Sequence, residues 1–317
     1  MTMKRVALFT LLLAGMAGAK PLTIGLGYIP NVQFTPFYAA DAMGYYKAEG
    51  FEVEFKHGFV SELMPLLLQG KIDAVVGDAE DAIFAQAQGA KVKYVMAMYQ
   101  KLPVTVFSLA EKGINKPADL KGKTLGIPGP FGASYIALQA LLAKNKIKES
   151  DLQIAPIGFT QLEAVKAGRV DAALGFINNE PLILKQQNSK VNTLDLTSAY
   201  PMVGNGVIVS DRLLKNRADL QKILRASQKG LAYTVTNPQK AFDVGKKYFG
   251  SAGGDLSVLN ASVGLMRSSY TSKTALGFSD PSAWAKAVNV LKNLGKVPSG
   301  AKPTDFYSNT YLTKGIR

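Results

Sequence analysis

Hydrophobic and polar positions along this chain follow two periods in turn, and the changes from one to the other set out a strand–helix rhythm. Leu22, Ile24 and Leu26 alternate with Thr23 and two glycines, the period-two pattern of a strand with a buried face. A break at Ile29-Pro30-Asn31 precedes a helical pattern from about Pro36 to Lys47, with Pro36 in the first turn, where its missing N–H costs nothing. Strands are then expected at Phe51–Lys56, Ile72–Gly77, Val92–Tyr99 and Val104–Leu109. Helices are expected at Glu62–Gln69, closed by Gly70, and at Asp78–Gln88, whose acidic start suits a helix N-terminus. After a short helical connector at Asn115–Gly122, the alternation continues. Thr124–Pro128, Gln153–Ile157, Val170–Phe176, Asn192–Leu196 and Gly206–Val209 read as strands. Ala133–Lys144, Thr160–Ala167 and Glu180–Gln187 read as helices. Beyond Asp211 the pattern is mostly helical, at Arg217–Val235, Pro238–Tyr248, Leu256–Met266 and Pro281–Leu294.

One segment occurs twice. Gly70-Lys-Ile-Asp73-Ala-Val-Val-Gly77 returns as Gly168-Arg-Val-Asp171-Ala-Ala-Leu-Gly175, 98 residues later. Each copy ends a helix on glycine and starts an apolar strand on aspartate. Two similar α/β units follow from this, each with a mainly parallel sheet. The expected lobes are 20–109 together with 206–317, and 110–205, with crossings near Leu109 and Asn205 as a hinge. The cleft between them is the expected ligand site.

Composition narrows the classes. At 317 residues, 47% apolar and 19% charged, the chain suits two globular domains. Met1–Ala19 has a basic start at Lys4 and Arg5, an apolar run and an Ala17-Gly18-Ala19 end, which reads as a cleaved export signal. There is no cysteine, hence no disulfide, no thiolate nucleophile and no acylated anchor. A periplasmic or secreted protein, free of lipid, is expected. The net charge of +14 is carried by scattered lysines rather than by basic runs with aromatics between them, so a nucleic-acid partner is not expected.

Candidate chemistry favours binding over catalysis. His57 is the only histidine, no G-x-S-x-G elbow occurs, and a zinc site lacks ligands. No metal or cofactor is expected. The loops at strand ends are better supplied. The first lobe offers Tyr28, Asn31, Phe34, Glu80, Tyr99 and Gln100. The second offers Gly132, Ala133, Ser134 and Tyr135 at a helix start, whose free N–H groups suit a carbonyl, phosphate or carboxylate. It also offers Asn178, Asn179 and Glu180 in one turn. Amides and a carboxylate can read the edge of a heterocycle while Tyr28 and Phe34 stack on its faces. For Asp78 and Asp81, helix capping is the expected role. Tyr28, Phe34, Asn178, Asn179 and Glu180 could equally serve packing or capping.

These motifs resemble the substrate-binding proteins of ABC importers, and within them the group that binds sulfonates, thiamine pyrimidine precursors and riboflavin. The likeness rests on GYIPNVQFTPFYAADAMGYYKAEGFEVEF (Gly27–Phe55), LLLQGKIDAVVGDAEDAI, KPADLKGKTLGIPGPFGASY and GFTQLEAVKAGRVDAALGFINNEP. It implies a two-lobed α/β periplasmic-binding fold that closes on a small heteroaromatic ligand and delivers it, as a monomer, to an inner-membrane permease. Where the thiamine-pyrimidine branch reads like D-W-x-P-N-T-N-H, Tyr28 stands at the tryptophan, Asn31 keeps the asparagine and Phe34 replaces the histidine. The fungal pyrimidine synthases of the same superfamily use that histidine and a cysteine-rich motif, and this chain has neither. The N-N-E-P and G-P-F-G-A-S turns look closer to the riboflavin binders. A sulfonate or nitrate receptor, or an enzyme using Glu80 or Glu180 as a base, remain the alternatives; Arg169 and Arg212 are the arginines nearest the motif ends.

Overall fold

A computed structural model describes residues 18–251 and 253–317, so the expected export signal falls almost wholly outside the described residues. The first lobe opens with β1 (Lys20–Leu26), α1 (Thr35–Ala42) and α2 (Tyr45–Ala48), then β2 (Phe51–His57), α3 (Val60–Leu68), β3 (Ala74–Gly77), α4 (Ala79–Ala87) and β4 (Val92–Ala97). The second holds β5 (Val104–Leu109), β6 (Thr124–Ile127), α5 (Gly132–Lys144), β7 (Gln153–Pro156), α6 (Gln161–Lys166), β8 (Ala172–Phe176), α7 (Glu180–Gln186) and β9 (Val191–Asp195). The chain then returns as β10 (Gly206–Ser210) and closes with α8 (Asp211–Lys215), α9 (Arg217–Thr236), α10 (Pro238–Phe249), α11 (Leu256–Met266), α12 (Ser269–Lys273), α13 (Pro281–Asn293) and α14 (Pro303–Phe306).

Two five-stranded sheets result, in the orders β2-β1-β3-β10-β4 and β7-β6-β8-β5-β9. They are mixed. β10 runs antiparallel to β3 and β4, and β5 runs antiparallel to β8 and β9. Those two are the strands that arrive directly from the other lobe. Parallel neighbours need a crossover, usually a helix, and a strand coming from outside has none. Val104–Leu109 therefore belongs to the second sheet, and the expected first crossing at Leu109 moves back to Met98–Pro103. Apolar alternation in β5 reports burial and cannot say which sheet buries it.

The crossings pair with each other. Met98 and Tyr99 N–H donate to Asn205 O (2.9 and 3.0 Å), Gly204 N–H donates to Tyr99 O (3.1 Å) and Leu102 N–H to Met202 O (2.8 Å). A narrow ribbon of backbone thus joins the lobes.

The repeat seen in the sequence becomes a repeated device. β3 and β8 lie centrally in their sheets. Asp73 N–H donates to Thr23 O while Asp73 Oδ2 accepts from Thr23 N–H, both at 2.9 Å. Asp171 does the same with Thr124, at 2.9 and 3.0 Å. Each aspartate thereby pins its strand to the parallel neighbour, at mid-strand in β1 and at the first residue of β6.

The helical tail covers the first lobe. α9 lies on α1 so closely that a Cβ on Gly230 would stand 2.1 Å from Pro36 O. Trp284 of α13 is fully buried, stacked on Tyr307 at 4.7 Å and edge-on to Tyr94 at 5.2 Å. The helix expected to run from Pro36 to Lys47 is interrupted at Gly44, whose φ of 71° ends α1 and starts α2.

Candidate functional site

The strand ends of both sheets face a single cleft of about 690 Å³, within the ~300–1,000 Å³ range that holds drug-sized ligands. β1 delivers Gly27 and Tyr28 to it, β3 delivers Asp78, β6 delivers Pro128, and β8 delivers Gly175 and Phe176.

At one end the lobes touch through side chains. The Tyr28 hydroxyl donates to Glu180 Oε1 across the cleft (3.4 Å), and Glu180 Oε2 accepts from Phe176 N–H (2.9 Å). Burial pushes the Glu180 carboxyl above its ordinary range, and the donors from Phe176, Asn179 and Tyr28 pull against that. Burial, reinforced by Glu180, likewise raises the Tyr28 phenol, so it stays a donor at physiological pH. Three further aromatics surround this pair. Phe59 of the first lobe stacks on Phe159 of the second, with centroids 4.1 Å apart and planes at 23°. Phe159 also meets Tyr28 edge-on at 4.5 Å, and Phe131 stands 6.1 Å from Phe59.

Nine of the thirteen residues expected at the site line this cleft: Tyr28, Phe34, Tyr99, Gly132, Ala133, Ser134, Tyr135, Asn179 and Glu180. The other four do not. Asn31 is buried and turns its Oδ1 to Gln33 N–H (2.9 Å), capping the short 3-10 turn before α1. Gln100 is held in the crossing by its N–H to Leu265 O (2.7 Å). Asn178 lies behind the wall, where Nδ2 donates to Gln33 Oε1 of the first lobe (3.0 Å) and Ser262 Oγ of α11 (2.8 Å). Glu80 is wholly enclosed beneath the crossing, and neither carboxyl oxygen accepts a hydrogen bond. An acid or amide in a strand-to-helix turn can face the groove or the protein, and residue type does not say which.

The cleft also holds residues that the sequence reading passed over: Gln33, Phe59, Phe131, Phe159, Gln161 and Lys296. A signal for two of them exists. Gly58-Phe59 follows β2 and Gly158-Phe159 follows β7, the outer parallel strands of the two sheets, so the stacked pair is a second copy of the internal repeat. Asp78 and Asp81 line the cleft while serving the structure. Asp81 Oδ2 accepts from Asp78 N–H (2.8 Å), the expected cap, and Asp78 Oδ1 accepts from Asn205 Nδ2 of the returning crossing (2.8 Å). His57 backs the wall rather than lining it, with Nδ1 on Tyr28 O (3.0 Å) and Nε2 on the Tyr38 hydroxyl (3.2 Å). Arg212 is drawn to Asp73 (2.6 Å), and no arginine lines the cleft among the described residues. Nor do those residues contain a cluster of acids and histidine fit to hold a metal ion.

The family described as NMT1/THI5 like matches residues 31–241. This chain belongs to that family. It is 34% identical over 305 residues to the riboflavin-binding protein RibY of Chloroflexus aurantiacus, covering 93% of this chain and 87% of that one. It is 25% identical over 232 residues to a 4-amino-5-hydroxymethyl-2-methylpyrimidine phosphate synthase of Legionella pneumophila, covering 70% and 72%. Among solved structures, the ligand-binding component of an ABC-type import system from Staphylococcus aureus superposes with a TM-score of 0.70 at 16% identity, covering 92% of this chain and 97% of that one. The architecture is the two-lobed periplasmic-binding-protein fold. No helix of the described residues is long and apolar enough to cross a membrane.

Proposed function

We propose that this member of the NMT1/THI5-like family is the extracytoplasmic solute-binding component of an ABC importer, and that its solute is a flat heteroaromatic vitamin or precursor, a flavin before a single-ring pyrimidine. The observation that carries this is the joint aromatic end of the cleft. Tyr28 and Phe59 from one lobe and Phe131 and Phe159 from the other gather beside Asn179 and Glu180. Faces stack on the rings, and the amide and carboxyl take the ring edge. A ligand touching both lobes stabilises the closed arrangement through its differential contacts. Export by Met1–Ala19, delivery to a membrane permease and action as a monomer complete the reading.

A flavin is favoured over a pyrimidine by the size of the cleft, about 690 Å³, and by the likeness to RibY. Catalysis is disfavoured, since the one histidine has both nitrogens engaged behind the wall. An anion receptor is disfavoured by the missing arginine. The test is a titration of riboflavin followed by quenching of its fluorescence, with formylaminopyrimidine as competitor and mass analysis for any product. Saturable quenching without conversion is expected. Binding of neither compound removes the heteroaromatic reading, and turnover of either restores the enzymatic one.

A further inference from the structure

Gln33 lines the cleft although it is only 6% exposed, and hydrogen bonds behind the wall fix which end of its amide faces forward. The two ends of an amide look alike, and only their partners tell them apart. The series starts at Ser262, fully enclosed in α11, whose Oγ stands 2.7 Å from Val258 O. Two oxygens that close need a proton between them, and a carbonyl has none to give. The one serine proton is therefore spent there, and Ser262 Oγ can only accept from elsewhere. The Asn178 atom 2.8 Å away is then Nδ2, a donor. That same Nδ2 lies 3.0 Å from the Gln33 amide, which must answer with Oε1. The Tyr99 hydroxyl, kept protonated by burial, donates to this oxygen as well (3.4 Å). What is left of the amide is Nε2. No described residue accepts from it, and it is not sealed away as Asn178 Oδ1 is. The backbone is held too, since Asn31 Oδ1 accepts from Gln33 N–H (2.9 Å). Phe34 and Met98, the chain neighbours of Gln33 and Tyr99, line the cleft with apolar surface, so water dilutes a hydrogen bond formed there only slightly.

Resting on the heteroaromatic reading above, we propose that Gln33 selects for an acceptor on the ligand's ring edge, its Nε2 donating to a carbonyl oxygen or an unprotonated ring nitrogen. Asn178 is the positioning residue. It touches no ligand, and it comes from the second lobe to hold an amide of the first, so the donor is locked only when the lobes meet. A ring that brings a donor, or nothing, to that point leaves Nε2 unpaired and binds more weakly.

The test titrates the purified protein with riboflavin and with its 2-thio, 4-thio, 1-deaza and 5-deaza analogues, each of which weakens or deletes one acceptor of the ring edge. At least one analogue is expected to bind about tenfold more weakly than riboflavin, the cost of one unmet hydrogen bond. Gln33→Met, close in size and without the amide, should weaken riboflavin by a similar factor and erase that analogue's deficit. Asn178→Ala and Ser262→Ala each free the Gln33 amide to turn and should narrow the same ratio, which a mere loss of stability would not do. An affinity for riboflavin unchanged by Gln33→Met, or no analogue whose deficit that variant erases, overturns the proposal. Should Gln33→Met not fold, the ratio in Ser262→Ala decides. A ratio that neither Asn178→Ala nor Ser262→Ala alters overturns the positioning role. Riboflavin binding to the wild type upholds the heteroaromatic reading whatever these ratios show. If only formylaminopyrimidine binds, the Gln33→Met loss is read on that compound, and an unchanged affinity overturns the proposal. If neither binds, that reading and this proposal fall together.

Discussion

After β3 the chain reads Gly77-Asp78-Ala79-Glu80-Asp81, and after β8 it reads Gly175-Phe176-Ile177-Asn178-Asn179-Glu180. Both turns leave a central strand through glycine, and both put a glutamate on a helix start. In the second lobe the glutamate reaches the cleft, held by Phe176 N–H and met by Tyr28. In the first, Glu80 is folded under the crossing ribbon, without hydrogen bonds for its carboxyl oxygens. Tyr200 of that ribbon acts on it, yet the Tyr200 hydroxyl makes no well-formed hydrogen bond either. The same local pattern therefore presents a carboxyl to the cleft in one lobe and loads the join between lobes in the other. What separates them is the neighbour: a cleft above Glu180, and the Tyr200–Asn205 segment above Glu80.

The largest effect that tests this contrast is one of pH. Burial and mutual repulsion push the Asp78 and Glu80 carboxyls well up, and burial pushes Asp81 up to about 7. Unfolded carboxyls titrate at about 4. A folded value above the unfolded one means that the folded state holds its protons more tightly. That stabilisation is complete below about pH 4 and is lost as pH rises through the folded values, with a slope of as much as ~1.4 kcal/mol per pH unit for each proton released. Urea unfolding is therefore expected to show stability falling from pH 5 to pH 8. Glu80→Gln, which keeps the shape and removes the charge, should flatten the decline. A level wild-type profile over that interval would show that water reaches these carboxyls and that the two glutamates are not so different.

Next in size is the cost of emptying the aromatic end from either side. Tyr28→Ala and Phe159→Ala each remove one wall, from the first and second lobes respectively. A loss of about 1–3 kcal/mol in ligand binding is expected for each, from burial and stacking. Tyr28→Phe isolates the hydroxyl, which meets Glu180 at 3.4 Å, and should cost less than the alanine change. If calorimetry finds Tyr28→Ala harmless and Phe159→Ala severe, the ring rests on the second lobe alone.

How much of this was written in the sequence depends on the range of the contact. Strand and helix positions emerged from periodicity because each records its own burial, and the paired glycine–aspartate segments disclosed two lobes. β5 was assigned to the wrong sheet because its six residues carry no mark of their partner. Glu80, Gln100 and Asn178 have the residue types of a binding site but spend themselves on the crossing and on α11, contacts that depend on segments 84–165 residues away. Phe59 and Phe159 were missed for the opposite reason, since a lone phenylalanine after glycine is unremarkable until both copies are seen to stack.

The smallest expected effect addresses the repeat itself. Asp73 and Asp171 form the same reciprocal pair with Thr23 and Thr124, and each also meets a cation: Arg212 at 2.6 Å in the first lobe, Lys112 at 3.0 Å in the second. Removing either aspartate orphans a part-buried N–H on the parallel neighbour, which costs ~1 kcal/mol or somewhat more. The ion pairs add little, because both are exposed enough for water and salt to screen them. Asp73→Ala and Asp171→Ala should therefore destabilise the protein by similar amounts in urea. Asp→Asn at either site should recover most of the loss, since the amide oxygen still accepts from threonine. The two lobes differ in one respect. Arg212 lies on α8, beyond the returning strand, whereas Lys112 lies in the connector just after β5. Should Asp73→Asn stay as destabilising as Asp73→Ala while Asp171→Asn recovers, the Arg212 contact is what matters there, and Asp73 serves to fasten the C-terminal segment to the first sheet.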